Sequence, residues 1–324
     1  MILSVRDLRV SFGPLRAVDA LSFDVAEREI FVIIGESGSG KSLTGMSVLG
    51  LLPPRASAAG SIRFAGQELL GRPESELRRL RGREIGVVYQ DPLSALNPVW
   101  PVGEQIAEVL RAHGLAGRRA AARRAVELLE RVHIPDPSRV AHAFPHEISG
   151  GMRQRAMIAM ALACGPRLLI ADEPTTALDV TIKAQVLDLL KELRRDLALT
   201  IVLITHDMGV VAEIADRIMV MYAGRAAEIG AAGSIIDHPA HPYTQALMTS
   251  AMVAEAAPKS ELRAILGTAP PLHARPAGCA FHPRCARAAE DCRAIEPALR
   301  KVGDVLAACH HPSDVASLRP CVPA

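Results

Sequence analysis

An octet near the start of the chain, Gly35-Glu36-Ser37-Gly38-Ser39-Gly40-Lys41-Ser42, has residue types and spacing suited to holding a polyphosphate. It fits G-x-x-x-x-G-K-[ST]. Its glycines let successive backbone N–H groups close round phosphate oxygens. Lys41 can reach the β and γ phosphates, and the Ser42 hydroxyl can ligate magnesium. Farther along, LLIADEP (168–174) ends an apolar run with two adjacent carboxylates. Asp172 is suited to holding magnesium, directly or through water. Glu173 is suited to polarising an attacking water as general base, a role worth about 10²–10⁴-fold. A third anion-binding feature is the helix start at Ser149-Gly150-Gly151, where free N–H groups and the helix dipole face outward.

These groups need elements to carry them. Residues 30–34, 86–89, 168–171 and 200–205 are short, continuous apolar runs, as expected for strands covered on both faces. Between the last two, Ile182, Val186, Leu189, Leu190, Leu193 and Leu197 recur at helical spacing and predict a helix over 181–197. Another helix is expected to open near Lys41. From 92 to 165 the pattern is helix after helix, with 118–131 charged and amphipathic. The expectation is an α/β domain over 1–235 with a largely parallel sheet and a helical insertion at 92–165. A linker and helix follow at 236–275, the helix over 243–252, and then a cysteine-rich region over 276–324.

Composition limits what the chain can be. Hydrophobic residues make up 49% and charged residues 22% of 324, which is ordinary for a folded domain and excludes bulk disorder. A formal charge of +2 gives no reason to expect a nucleic-acid partner. The apolar runs fall short of the roughly 18–20 residues of a membrane-spanning helix, and the N-terminus lacks a secretory signal pattern. Cytosol is the expected compartment.

Five of six cysteines lie in the last 46 residues. Cys279, Cys285, Cys292 and Cys309 are separated by five, six and sixteen residues, with no C-x-x-C pair. Such thiolates can hold zinc, with His282, His310 and His311 as further ligands, or an iron–sulfur cluster, and the spacing also allows no metal at all.

ISGGMRQR (148–155) resembles the signature sequence of the ABC ATPase family, and it lies between the phosphate loop and the Asp-Glu strand as it does there. Gln90 looks like that family's Q-loop, Ala177-Leu178-Asp179 like its D-loop, and His206 like its switch histidine. Phe12 matches the aromatic residue that stacks on adenine. Ile148 and Met152 depart from the Leu and Gln most members have. Longer strings, YQDPLSALNPVWPVGEQ, FPHEISGGMRQR, ADEPTTALDVTIKAQ and HPYTQAL, resemble the ATPases of dipeptide and oligopeptide importers, a branch that includes nickel importers and in which Met152 is usual. The likeness runs from about residue 2 to 312.

The resemblance implies a P-loop ABC-type nucleotide-binding domain that binds ATP and Mg2+, with Ser42, Gln90 and Asp172 around the magnesium. It implies two such domains head to tail, each nucleotide clamped between one chain's Lys41 loop and the other's signature helix at Ser149, Gly150 and Gly151, with Asp179 of the D-loop also binding nucleotide. Two permease subunits, a related second ATPase and, indirectly, an extracytoplasmic substrate-binding protein would be its partners at the cytoplasmic face of the membrane. The insertion, with 91–102, would dock a permease helix. The four cysteines match a tail that carries a 4Fe-4S cluster in many peptide-importer ATPases. A soluble, non-transport ABC ATPase is the other class. It is disfavoured because the chain has one phosphate loop and a short insertion with no long coiled coil.

Overall fold

The computed structural model of the chain describes residues 1–176, 178–255, 265 and 267–313; Ala177 and Cys321 lie outside them. The first strands are β1 (Leu3–Phe12), β2 (Leu15–Val25), β3 (Ile30–Ile34), β4 (Ala56–Phe64), β5 (Gln67–Glu68) and β6 (Ile85–Val88). After the insertion come β7 (Leu168–Asp172), β8 (Thr200–Thr205), β9 (Arg217–Tyr222), β10 (Arg225–Ala231), β11 (Arg300–Val302) and β12 (Val305–Ala307). They make two sheets. One is antiparallel in the order β2-β1-β4-β5, and the other runs β11-β12-β10-β9-β3-β8-β7-β6.

In the second sheet β9, β3, β8, β7 and β6 are parallel neighbours, with Ile34 level with Thr205 and Val220, and Asp172 level with Ile204. The carboxyl ends of β3, β6, β7 and β8 therefore reach one edge, where ligands bind in open α/β sheets. All of β3 is buried because both faces are covered. Ile30, Val32 and Ile34 pack towards the helices, while Phe31 and Ile33 pack towards the antiparallel sheet, where Phe31 stacks on Phe23 at 5.3 Å.

The antiparallel sheet is not anticipated by the sequence reading. Leu3 and Val5 alternate inward, but a register shift at Arg6–Asp7, with Asp7 at φ 49°, displaces the next inward pair to Leu8 and Val10. The bulge breaks the period of two by which a strand is recognised.

Helices α1 (Lys41–Leu49) and α2 (Glu74–Leu80) precede the insertion. The insertion itself is α3 (Pro92–Ala95), α4 (Val102–Ala112), α5 (Arg118–Arg131), α6 (Pro137–His142) and α7 (Gly150–Ala161), with no strand, as expected. On α5 the buried residues Ala121, Ala125, Leu128 and Leu129 form one helical stripe beneath a charged face. The remaining helices are α8 (Val180–Leu197), α9 (Met208–Ile214), α10 (Ala232–Asp237), α11 (Pro242–Glu255) and α12 (Glu290–Ala294). Among the described residues no helix is long and apolar enough to cross a membrane.

The chain beyond α12 returns to the main sheet, where β12 pairs antiparallel with β10, Glu228 opposite Ala307. Glu228 is fully buried, and its carboxylate accepts hydrogen bonds from the backbone N–H groups of Ala240 (2.8 Å) and His241 (3.0 Å). It thereby fixes the entry to α11. Glu228→Ala strands both N–H groups and is expected to destabilise the chain by about 2–4 kcal/mol. Glu228→Gln, which keeps an acceptor, loses less. Denaturant midpoints of the three proteins decide this, and an alanine variant as stable as the parent would refute the role.

Candidate functional site

The loop between β3 and α1 is shaped by backbone contacts. A Cβ on Gly35 would stand 2.1 Å from the Met221 carbonyl oxygen of β9, so only glycine lets the loop leave the sheet there. Gly38 and Gly40 have φ of 78° and 97°, values that favour glycine. Behind the loop, the Gly224 N–H at the β9–β10 turn donates to the Ser39 carbonyl (3.0 Å). The N-terminus of α1 faces the resulting cavity, and its free N–H groups make an anion site.

Lys41 Nζ donates to the carbonyl oxygens of Gly35 (2.8 Å) and Glu36 (3.0 Å). Burial holds its pKa below the ordinary lysine value, although Glu173, Asp172 and Glu36 pull the other way. Ser42 Oγ donates to Asp172 Oδ1 at 3.0 Å. This pairs two hard oxygen donors of the kind magnesium takes, so the residues fit that ion.

The two acids at the end of β7 are driven apart. Burial, helped by the neighbouring Glu173 charge, raises the Asp172 pKa despite the Ser42 hydrogen bond and Lys41. Burial pushes Glu173 the same way, but hydrogen bonds from His206 and Thr176 and the His206 and Lys41 charges outweigh it, so its pKa falls. Divergent neighbours of this kind divide acid–base work between them. Glu173 Oε1 lies 3.0 Å from His206 Nδ1, and Oε2 accepts from Gln90 Nε2 (3.0 Å) and Thr176 Oγ1 (2.9 Å). Of about four lone-pair directions on a carboxylate, one is left for water. Glu173 has φ 48°, rare for a residue with a side chain, and its N–H is held by the Ile204 carbonyl (2.8 Å).

One cavity is lined by Gly35, Glu36, Ser37, Gly38, Gly40, Lys41, Ser42, Gln90, Glu173 and His206, gathered from four strand ends. Ser39 is buried beneath the loop. Among the described residues Phe12, Ser149, Gly150, Gly151 and Asp179 do not line it. Phe12 is half-buried at the end of β1. Ser149 caps α7 by accepting from Met152 N–H (3.3 Å), and Asp179 caps α8 by accepting from Ile182 N–H (2.9 Å); both are exposed. The sequence reading missed Thr176, which lies inside the quoted ADEPTTALD string and shows its role only through contact with Glu173.

A model of the ABC transporter family matches residues 18–176, and one of the oligopeptide/dipeptide transporter C-terminal region matches 227–292. The dipeptide transport ATP-binding protein DppD of Haemophilus influenzae is 47% identical over 317 residues, 96% of each chain. The chain belongs to the ABC transporter family. The oligopeptide transport ATP-binding protein OppD of Bacillus subtilis is 48% identical over 309 residues, covering 94% of this chain and 86% of that one. A dimeric ATP-binding cassette in a post-hydrolysis state with ADP and Pi superposes with a TM-score of 0.63 and 27% identity, over 71% of this chain and 99% of that one. The cbiO1 protein of Clostridium perfringens, part of an ABC transporter complex, gives 0.62 and 28% over 72% and 90%. The ABC ATPase fold and family expected from the signature string are those found.

In this ABC ATPase His206 is an exposed ring whose hydrogen bond keeps Glu173 ionised. His206→Ala leaves the raising effect of burial less opposed, so the Glu173 pKa rises and the acidic limb of the kcat profile moves to higher pH. Turnover of the assembled ATPase should fall by about tenfold or more. An unmoved acidic limb would break the link.

Proposed function

We propose that this chain hydrolyses ATP to drive import of short peptides through an ABC transporter, as one of two head-to-tail ATPases beneath two permease subunits at the cytoplasmic face of the membrane. The observation that carries the reading is the separation just described. Loop, Glu173 and switch histidine share one cavity, with Asp172 tied to it through Ser42, while the exposed, capped starts of α7 and α8 stand apart from it, available to a nucleotide on another chain. The relatives' names supply the peptide. A related, non-identical second ATPase is the expected partner, and an extracytoplasmic binding protein would deliver substrate to the permeases.

In the reaction the loop N–H groups and Lys41 hold the β and γ phosphates. Glu173 orients a water on its remaining lone pair and accepts its proton as the water attacks the γ-phosphorus, while the bond from that phosphorus to the β,γ-bridging oxygen breaks and ADP leaves, giving ADP and inorganic phosphate. Gln90 and His206 keep the carboxylate aimed, Phe12 would lie against the adenine, and the partner's signature helix start would meet the γ-phosphate. Ser42 and Asp172, with Gln90 from the wall of the same cavity as Ser42, would hold magnesium, which neutralises phosphate charge when bound. On the insertion, Leu93, Val99 and Trp100 are 58%, 72% and 39% exposed, whereas Leu96 is buried. The three exposed residues suit a docked permease helix and Leu96 is internal packing.

Glu173→Gln is expected to keep ATP affinity within about threefold while lowering turnover by 10² or more. It should also trap an ATP-bound ATPase dimer on size-exclusion chromatography. Vesicles holding the assembled transporter should then fail to take up labelled dipeptide. Near-normal turnover would remove Glu173 from its role, a persistent monomer would remove the shared site, and uptake of nickel without dipeptide would change the cargo.

The C-terminal cysteines favour a 4Fe-4S site. Cys279, Cys285, Cys292 and Cys309 line one small cavity, and the Cys279 N–H donates to the Cys292 carbonyl at 2.8 Å. The four are unpaired thiols. Burial raises the pKa of Cys279 and Cys285, and that of Cys309 to about 11, and a metal that binds thiolates would have to offset that effect. Asp291, Cys292 and His311 offer ligand atoms within 4.8 Å of one another, which suits a single zinc ion instead, although Asp291 and His311 already pair at 2.9 Å. Protein purified without oxygen should be brown with about four irons per chain. Cys292→Ser should lose the colour and the protease resistance of the tail. Colourless protein with stoichiometric zinc assigns the three-ligand site, and metal-free protein after anaerobic reconstitution overturns both.

A further inference from the structure

Glu36, the second residue of the phosphate loop, is gripped from three sides. Its carbonyl accepts from Lys41, and its N–H donates to the Tyr243 hydroxyl (2.9 Å) at the start of α11. Its carboxylate takes two parallel hydrogen bonds from Arg284, Nη1 to Oε2 at 2.7 Å and Nη2 to Oε1 at 2.9 Å. Arg284 precedes Cys285 in the cysteine-rich segment, 248 residues away. Its side chain is only 7% exposed, and its guanidinium lies 5.8 Å from the Tyr222 ring centre and 5.9 Å from that of Phe281. A bidentate pair packed against two aromatic rings fixes direction as well as charge.

The position of the acid gives the pair its meaning. Glu36 lines the same cavity as Lys41, Ser42 and Glu173. A carboxylate in a loop that must receive a triphosphate repels it, most strongly where water is excluded. We propose that Arg284 is a positioning residue of the ATP site: it neutralises Glu36 and draws its carboxylate out of the phosphate path, making the C-terminal segment a determinant of nucleotide affinity. This rests on the reading of the loop as an ATP site.

Equilibrium binding of a fluorescent ATP analogue with magnesium to the full chain tests it. Arg284→Met, which keeps an apolar stem against the rings, should raise Kd about tenfold. With Glu36→Gln in the background, the same substitution should change Kd by less than about threefold, because no charge is left to neutralise. In the assembled transporter Arg284→Met should raise KM for ATP more than it lowers kcat. Arg284→Lys, which retains charge without the fork, should fall between and serves the same cycle if the methionine variant unfolds. An unchanged Kd, or an equal loss in both backgrounds, overturns the proposal. Failure of the parent to bind the analogue, or equal binding by Lys41→Ala, refutes the ATP site itself.

Discussion

Lys41 is an ammonium group 5% exposed to solvent, and its hydrogen bonds run to two carbonyl oxygens with no carboxylate at ion-pair distance among the described residues. A buried cation in that state is costly, as the lowered pKa records. In the function proposed above, the triphosphate supplies the counter-charge. Much of the surrounding structure keeps this charge waiting: Gly35 yields to the Met221 carbonyl, Gly224 ties down Ser39, and the sheet puts Asp172 and Glu173 near enough to help without closing a salt bridge. A site already satisfied by a protein carboxylate would have to break that pair to admit phosphate.

The same edge drives the pKa values of Asp172 and Glu173 in opposite directions. Residues 172 and 173 are adjacent, yet the extended β7 gives way to φ 48° at Glu173, so one carboxylate faces Ser42 and the other faces His206, Gln90 and Thr176. Strain at one residue thus turns the two adjacent carboxylates towards different neighbours. The hydrogen bonds from His206 and Thr176 that orient the Glu173 carboxylate also lower its pKa against the effect of burial, together with the His206 and Lys41 charges.

The elements that carry the site were the legible ones. Residues 30–34 and 200–205 read directly as strands because both faces are buried and the runs are unbroken, and the helix read over 181–197 begins one residue earlier, at Val180. The octet, the Asp-Glu pair and His206 were visible because each follows such a run. The antiparallel sheet was not, because the bulge at Asp7 and the polar β4, where Ile62 and Phe64 are the buried residues, leave little periodicity. Arg284 was also invisible, since nothing local distinguishes an arginine between cysteines from a solvent-facing one. Its role exists only because the chain folds back across 248 positions. Separation of the signature residues from the cavity could likewise be seen only in three dimensions.

That return of the chain gives HPYTQAL a physical content. His241 is buried, and its pKa falls to about 4, so its ring is neutral near pH 7 and Nδ1 accepts the Tyr243 N–H at 3.0 Å. Glu228 of β10 holds the backbone just before it, and Pro242 opens α11. Tyr243 is then fully buried, 4.6 Å from Tyr222 and 5.3 Å from Phe281 between ring centres, with its hydroxyl on the phosphate loop. A tyrosine ring packed this way has little rotational freedom, so its oxygen is a fixed acceptor for the Glu36 N–H. Because Phe281 lies between Cys279 and Cys285, the aromatic cluster joins the cysteine cavity and the ATP cavity through side chains in direct contact. Phe281 and Arg284 thus tie the cysteine segment to Tyr243 and to Glu36 of the loop between β3 and α1.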